Sequence, residues 1–236
     1  MKLSTVLFDL DGTLLPMDQE VFVKAYLGLL SKRMAPHGYD PREIVDAVWK
    51  GTDAMVCNDG GRTNEAVFWN LFQARFGPKS LEDMPIFEDF YRTDFELARG
   101  SCGFTPEAAR TLELCRELGL RTTLATNPIF PALATRARIR WAGLEPECFD
   151  LITTYENSRF CKPNPLYYRE ITEKLLVDPR ECLMVGNDVQ EDLAARELGM
   201  RVFLLTPCMI DRRDTDLSQF PHGDFEALHR FLKAIA

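Results

Sequence analysis

Ser4-Thr5-Val6-Leu7-Phe8-Asp9-Leu10-Asp11-Gly12-Thr13 opens the chain with a short apolar run that stops on a carboxylate. Residues 4–8 are rich in β-formers, and Asp-x-Asp-Gly is a turn signal, so the run reads as a buried strand. Four further runs have the same character: 121–126, 149–153, 182–185 and 201–206. Helical patterns separate them. Thr105-Pro106 opens one with an N-cap and a proline at the first position, and Gly119 closes it. Asn164-Pro165 opens another in the same way, 189–198 is stopped by Gly199, and 224–236 forms a terminal helix. Strands alternating with helices imply right-handed βαβ units and a parallel sheet, an α/β fold.

One interval breaks the alternation. Between the first strand and the helix at Thr105 lie about ninety residues without a strand signal. They read as helices over 19–34, 41–49, 64–76 and 81–99, with Ser80-Leu81-Glu82-Asp83 resembling a capping box. Pro36-His37-Gly38, Asp59-Gly60-Gly61 and Gly77-Pro78 punctuate them. A helical module of roughly 80 residues is therefore expected as an insertion after the first strand.

The strand ends carry the chemistry. In open α/β sheets, functional groups gather outside the carboxyl ends of the strands. Here those ends offer Asp9-Leu10-Asp11-Gly12-Thr13, Thr126-Asn127, Lys162-Pro163 a short loop after the third run, and Gly186-Asn187-Asp188 with Asp192 a turn later. Asp9 and Asp11, two apart in extended chain, point to one side, and Gly12 allows a sharp turn. Asp188 and Asp192, four apart, would share a helix face. Carboxylates converging unpaired repel, and a divalent cation resolves this. An all-oxygen donor set favours Mg²⁺, which takes one or two carboxylates, waters and a phosphate. Lys162 and the Thr126 hydroxyl could then hold phosphate oxygens. A carboxylate beside a clamped phosphate can attack it.

This ordered set resembles the signature of the haloacid dehalogenase-like hydrolases, and the resemblance covers essentially the whole chain. It implies a Rossmann-like three-layer core over residues 1–16 and 101–236, with the first strand near the sheet centre. Residues 17–100 would be the inserted all-helical cap. It implies that Asp9 is nucleophile and metal ligand, and that Asp11 is general acid/base and ligates through its backbone carbonyl. Thr126, Asn127 and Lys162 would hold the phosphoryl group. Asp188 would be a metal ligand, with Gly12, Asn187 and Asp192 in support. Many relatives have Gly-Asp where this chain has Gly186-Asn187, so the ligand is assigned to Asp188, one residue later. The expected activity is a Mg²⁺-dependent phosphatase acting on a small phosphorylated metabolite through an aspartyl phosphate. Alternatives are a phosphosugar mutase, a metal-independent dehalogenase, and a non-catalytic phosphate-binding protein. The second aspartate, which dehalogenases of the family lack, favours phosphate chemistry.

Composition bounds the rest. The chain has 236 residues, 46% of them hydrophobic, enough for a well-buried core. With 28 basic and 36 acidic residues the net charge is −8, which leaves no electrostatic footprint for nucleic acid or an anionic membrane. Oligomeric state is not legible. Seven widely spaced cysteines without C-x-x-C give no expectation of a disulfide framework or zinc site. No secretory signal pattern and no apolar run near 18 residues is apparent, so a cytoplasmic protein is expected. The loop Asn58–Arg62 reads as a solvated interhelical turn. The stripe Phe68, Trp69, Phe72 and Phe76 reads as core, and that of Phe87, Phe90, Tyr91 and Phe95 as core or a cap surface. Arg212-Arg213 reads as a solvated charge pair.

Overall fold

The structure, a computed structural model, describes residues 2–236. Four parallel strands, β1 (Thr5–Phe8), β2 (Arg121–Leu124), β3 (Cys182–Gly186) and β4 (Arg201–Leu205), are joined by a two-residue β5 (His222–Gly223). The sheet order is β2-β1-β3-β4-β5, all parallel. The pairing Thr5–Arg121 and Thr5–Cys182 sets β1 between β2 and β3, with all four of its residues buried. Burial on both faces explains why β1 and β3 are continuous apolar runs rather than alternating ones.

Alternate residues of these strands feed two separate cores. Val6, Phe8, Leu183 and Val185 join the helices α6 (Glu107–Glu117), α7 (Ala132–Trp141) and α10 (Phe225–Ile235). Leu7, Cys182 and Met184 pack instead on α8 (Pro165–Leu175) and α9 (Val189–Asp192), which continues as a 3₁₀ turn over Leu193–Leu198. Helix, sheet and helix thus form the expected three layers.

One strand expectation needs correction, and one short strand is additional. Residues 149–153 do not form a regular strand: Leu124 and Ile152 make a single parallel bridge. Asp150 N–H to Thr122 O, Leu124 N–H to Leu151 O and Thr153 N–H to Leu124 O are the backbone bonds that hold the segment at the β2 edge. Side-chain bonds from Thr122 Oγ1 to Cys148 O and from Asn157 Nδ2 to Ile152 O occupy carbonyls at its two ends. The other edge carries β5, too short to register as a sequence pattern. Helix α7 likewise falls in a stretch for which no helix was singled out.

Between β1 and β2 the chain is helical, as expected: α1 (Gln19–Met34), α2 (Pro41–Val56), α3 (Asn64–Phe76), α4 (Lys79–Glu82) and α5 (Met84–Arg92). Asp18, Asp40 and Thr63 cap the first three with side-chain oxygens on the backbone N–H groups of the first turn. α2 runs past the expected end at 49 to Val56 and carries Gly51 in its interior. A Cβ there would meet the Phe68 ring of α3 at 2.5 Å, so the glycine permits close helix contact. The single helix expected over 81–99 breaks at Asp83 and Thr93 into α4, α5 and a 3₁₀ turn over Asp94–Ser101. Pro85 at the start of α5 removes an N–H and crowds the preceding turn. The expected capping box at Ser80 does not form. Its hydroxyl donates to Gly77 O at 2.8 Å, while the Asp83 carboxylate accepts from Tyr39 Oη at 2.8 Å and from Lys79.

The ends of this helical segment lie side by side, with Met17 bridging Cys102 and Gly103 N–H donating to Pro16 O at 2.7 Å. Its aromatic interior is continuous with the α6/α7/α10 core. Among the described residues no helix is long and apolar enough to cross a membrane.

Candidate active site

The carboxyl end of β1 delivers Asp9, and the turn after it places Asp11 two residues on. Gly12 sits in the left-handed region (φ +83°), and a Cβ on it would collide with the Asn187 amide. The turn therefore needs glycine for both its backbone angle and the approach of the β3 end. Thr13 ties these two strand ends: its hydroxyl lies 3.0 Å from Asn187 Oδ1 and 3.3 Å from Asp9 Oδ2. With one proton it donates to one of them at a time.

Asp9 is 8% exposed, and its Oδ1 accepts from Lys162 Nζ at 3.0 Å. Lys162, 1% exposed, also donates to Asp192 Oδ1 at 2.7 Å. Burial alone would lower the Lys162 pKa, but the Asp192 and Asp9 carboxylates hold it well above the ordinary value. The ammonium is therefore fixed as a cation beside Asp9. Asn127 positions it from behind, accepting the Lys162 backbone N–H at 3.2 Å. The Lys162–Pro163 peptide is cis. Thr126 lines the cavity, and its carbonyl is held by Tyr167 Oη and Thr153 Oγ1.

Asp188 and Asp192 do not share a helix face. Asp188 stands outside α9 as its N-cap, accepting from the N–H groups of Gln190 and Glu191 through Oδ1. Asp192 turns beneath β3, accepting the Asp188 N–H at 3.0 Å and serving Lys162. An extended residue at the cap position breaks the 3.6-residue period on which the same-face expectation rests. Asn187 donates from Nδ2 to Cys208 O at 2.7 Å, and its Oδ1 faces the Thr13 hydroxyl, so the amide is oriented by the protein.

Sequence reasoning missed two cations here. Arg138 of α7 is fully buried and pairs with Asp11 Oδ2, and its guanidinium stacks 4.3 Å from the Phe130 ring centroid. The available signal was a charge on an apolar face, since Ala134, Arg138 and Trp141 recur at helical spacing. Arg212, expected as solvated, lies 2.7 Å from Asp188 Oδ2. It is brought there by the loop after β4, whose Ile210 exchanges backbone bonds with Asn187 and Val189. No local pattern reveals that. The carboxylates expected to converge unpaired are thus each matched by a protein cation, which lowers the cost of burying them.

Asp9, Asp11, Thr126, Asn127, Asp188 and Glu191 face one cavity of about 130 Å³. Glu191 is a third member of the site that the sequence reading passed over. Burial, partly offset by Lys162, pushes its pKa up to about 7. Burial also pushes Asp11 up against the pull of Arg138, and Asp11 Oδ1 has no hydrogen-bond partner. One oxygen of Asp11 is therefore anchored and the other is available for a proton or a ligand. Among the described residues no three Asp, Glu, His or Cys side chains form a ready-made ion cage. The donors facing the cavity are all oxygen or amide, which suits a hard cation needing only one or two carboxylates. Asn58, by contrast, is spent inside its own turn, bonding Arg62 O, Asn64 Oδ1 and Gly60 N–H.

Comparison with known proteins gives the chain's family. Phosphoglycolate phosphatase of Vibrio vulnificus is 25% identical over 211 residues, covering 87% of this chain and 84% of that protein. Pyrophosphatase PpaX of Bacillus cereus is 24% identical over 203 residues, covering 85% and 82%. Among solved structures, a 2-haloacid dehalogenase from Pseudomonas syringae superposes with a TM-score of 0.65 at 22% identity, covering 99% of this chain and all of that one, a likeness of fold alone. Residues 3–199 match the family described as haloacid dehalogenase-like hydrolase, and the chain belongs to that family of hydrolases.

Proposed function

We propose that the chain is a Mg²⁺-dependent phosphatase that acts on a small phosphorylated metabolite through phosphorylation of Asp9. The observation that carries this reading is the buried Asp9 carboxylate held 3.0 Å from a charged Lys162, with Asp11 facing the same cavity. In the first step an Asp9 oxygen attacks phosphorus, the ester P–O bond breaks, and Asp11 gives its proton to the departing alcohol oxygen. In the second, Asp11 takes a proton from water as that water attacks phosphorus. The P–O bond to Asp9 breaks, releasing phosphate. Lys162 offsets charge on the phosphoryl oxygens, with the Thr126 hydroxyl as a donor. Asp9 and Asp188, with the Asp11 backbone carbonyl, would hold Mg²⁺, which when bound supplies charge for the transferring group.

The core in this reading is residues 1–16 and 101–236, and residues 17–100 are a cap. The juxtaposed ends of that segment at Met17 and Cys102 support the division. Cap closure would exclude water until Asp9 is phosphorylated. We place the enzyme in the cytoplasm.

The test is phosphate release from a panel of small phosphomonoesters with Mg²⁺ and with excess chelator. Release that chelation stops and Mg²⁺ restores is expected. Undiminished release in chelator, or halide release from 2-chloropropionate, would overturn the reading.

A further inference from the structure

A second cavity, of about 70 Å³, adjoins the phosphate-side cavity and shares Val23, Ile129 and Phe130 with it. That is several times the room one water needs. Its wall is aromatic and aliphatic, built by α1, α2 and α3 against residues 129–131. The polar tips in that wall are spent on one another. Tyr26 Oη and Tyr91 Oη bond at 2.9 Å, Trp69 Nε1 donates to Tyr155 Oη at 3.3 Å, and Thr52 Oγ1 donates to Val48 O at 2.9 Å. Among the described residues no Lys or Arg lines this hollow. The nearest buried guanidinium, Arg138, is committed to Asp11 and lies against Phe130. On the far side the wall turns acidic, with Glu65, Glu88 and Glu156 lining the next cavity and its one arginine, Arg92, paired to Glu88 at 3.1 Å.

From this we infer that the substrate is the phosphate monoester of a compact, uncharged, apolar alcohol, whose aryl or alkyl body lies between Trp49, Trp69 and Phe68 while its phosphate faces Asp9. The inference rests on the phosphatase reading and adds the leaving group to it. A phosphate at Asp9 leaves the rest of the molecule beside Val23 and Phe130, from which the adjoining hollow continues as an apolar wall. Burying an aromatic body in this hollow is favourable, since it removes apolar surface of both the body and the aromatic wall from water. A second anion, such as the carboxylate of phosphoglycolate or the second phosphate of pyrophosphate, would be desolvated there without a cation and would face the glutamates beyond. The Phe68 and Trp69 pair, read from the sequence as core, thus has one face on a cavity.

The test uses two inert phosphonates on the full chain with Mg²⁺: benzylphosphonate and phosphonoacetate. Two of the three tryptophans, Trp49 and Trp69, line the hollow, while Trp141 stacks on Phe95 elsewhere, so intrinsic fluorescence reports occupancy. Benzylphosphonate is expected to change the emission and to bind at least about tenfold more tightly than phosphonoacetate. Equal or tighter binding of phosphonoacetate would overturn the inference. Thr52→Arg, which brings a cation into the hollow, is expected to shift that ratio toward phosphonoacetate by about fivefold or more. An unmoved ratio in a folded variant would also count against it. Phosphate release from benzyl phosphate and phosphoglycolate then separates the two claims. Selective binding without any release faults the phosphatase reading alone, whereas release that favours phosphoglycolate faults the substrate class alone.

Discussion

At the strand ends, Asp9, Asp11, Asp188 and Asp192 are matched by Lys162, Arg138 and Arg212. On the other side of Phe130 the hollow has no charged group at all. The two regions are stabilised in opposite ways. Buried charges survive only with a partner in good geometry, and removing one member leaves an uncompensated charge. An aromatic wall instead tolerates gradual change in shape, because each contact is small and their sum is large. Reaction class is therefore expected to be brittle to substitution at the strand ends, and substrate choice to be adjustable in the helical segment.

The largest expected effect is at Asp9. Asp9→Asn should lower kcat by about a thousandfold or more while the fold is retained, read by phosphate release beside circular dichroism. Near-normal turnover would break the contrast at its root. Next is Arg138→Met, which leaves Asp11 without its buried partner. A loss of about 3 kcal/mol in unfolding free energy is expected from urea titration. A loss within experimental scatter would mean that the pair contributes no more than a surface contact.

A third effect depends on pH. Glu191 has a folded-state pKa of about 7 against an ordinary 4.5, raised first by burial. Below the ordinary value the carboxyl is protonated in both folded and unfolded chains and costs nothing. From there up to the folded pKa the unfolded chain releases the proton while the native state keeps it, so stability falls, and the loss is complete once pH has risen through about 7. Glu191→Gln should therefore gain about 2 kcal/mol over the parent at pH 8, in chelator, and nothing at pH 4. The same gain at both pH values would refute the titration. The smallest effect is at Arg212, whose side chain is 54% exposed. Arg212→Ala frees Asp188 Oδ2 and should lower the Mg²⁺ concentration for half-maximal activity by about threefold. A higher requirement would show that Arg212 helps to hold the metal-binding geometry.

Much of the scaffold is readable in the chain itself because it rests on local periodicity. β1, β3 and β4 are apolar runs ended by turn residues. α1 and α3 match their expected limits because Asp18, Thr63 and Gly77 mark them as caps and stops. Where a segment's pairing is weak, as at 149–153, or where Pro85 divides a helical pattern, local reading drew regular elements that neighbours and sterics did not support.

The sequence by itself determined the order of Asp9, Asp11, Thr126, Asn127 and Asp188 at strand ends, with Lys162 in a loop between, and with it the family. It could do so because strands of one parallel sheet must deliver their carboxyl ends to one side. Only the tertiary structure decided which cations neutralise those carboxylates, that Glu191 joins them, and that Phe68 and Trp69 border a cavity. Those outcomes depend on desolvation and pairing between residues far apart in the chain, such as Asp11 with Arg138, and no local pattern encodes such a meeting.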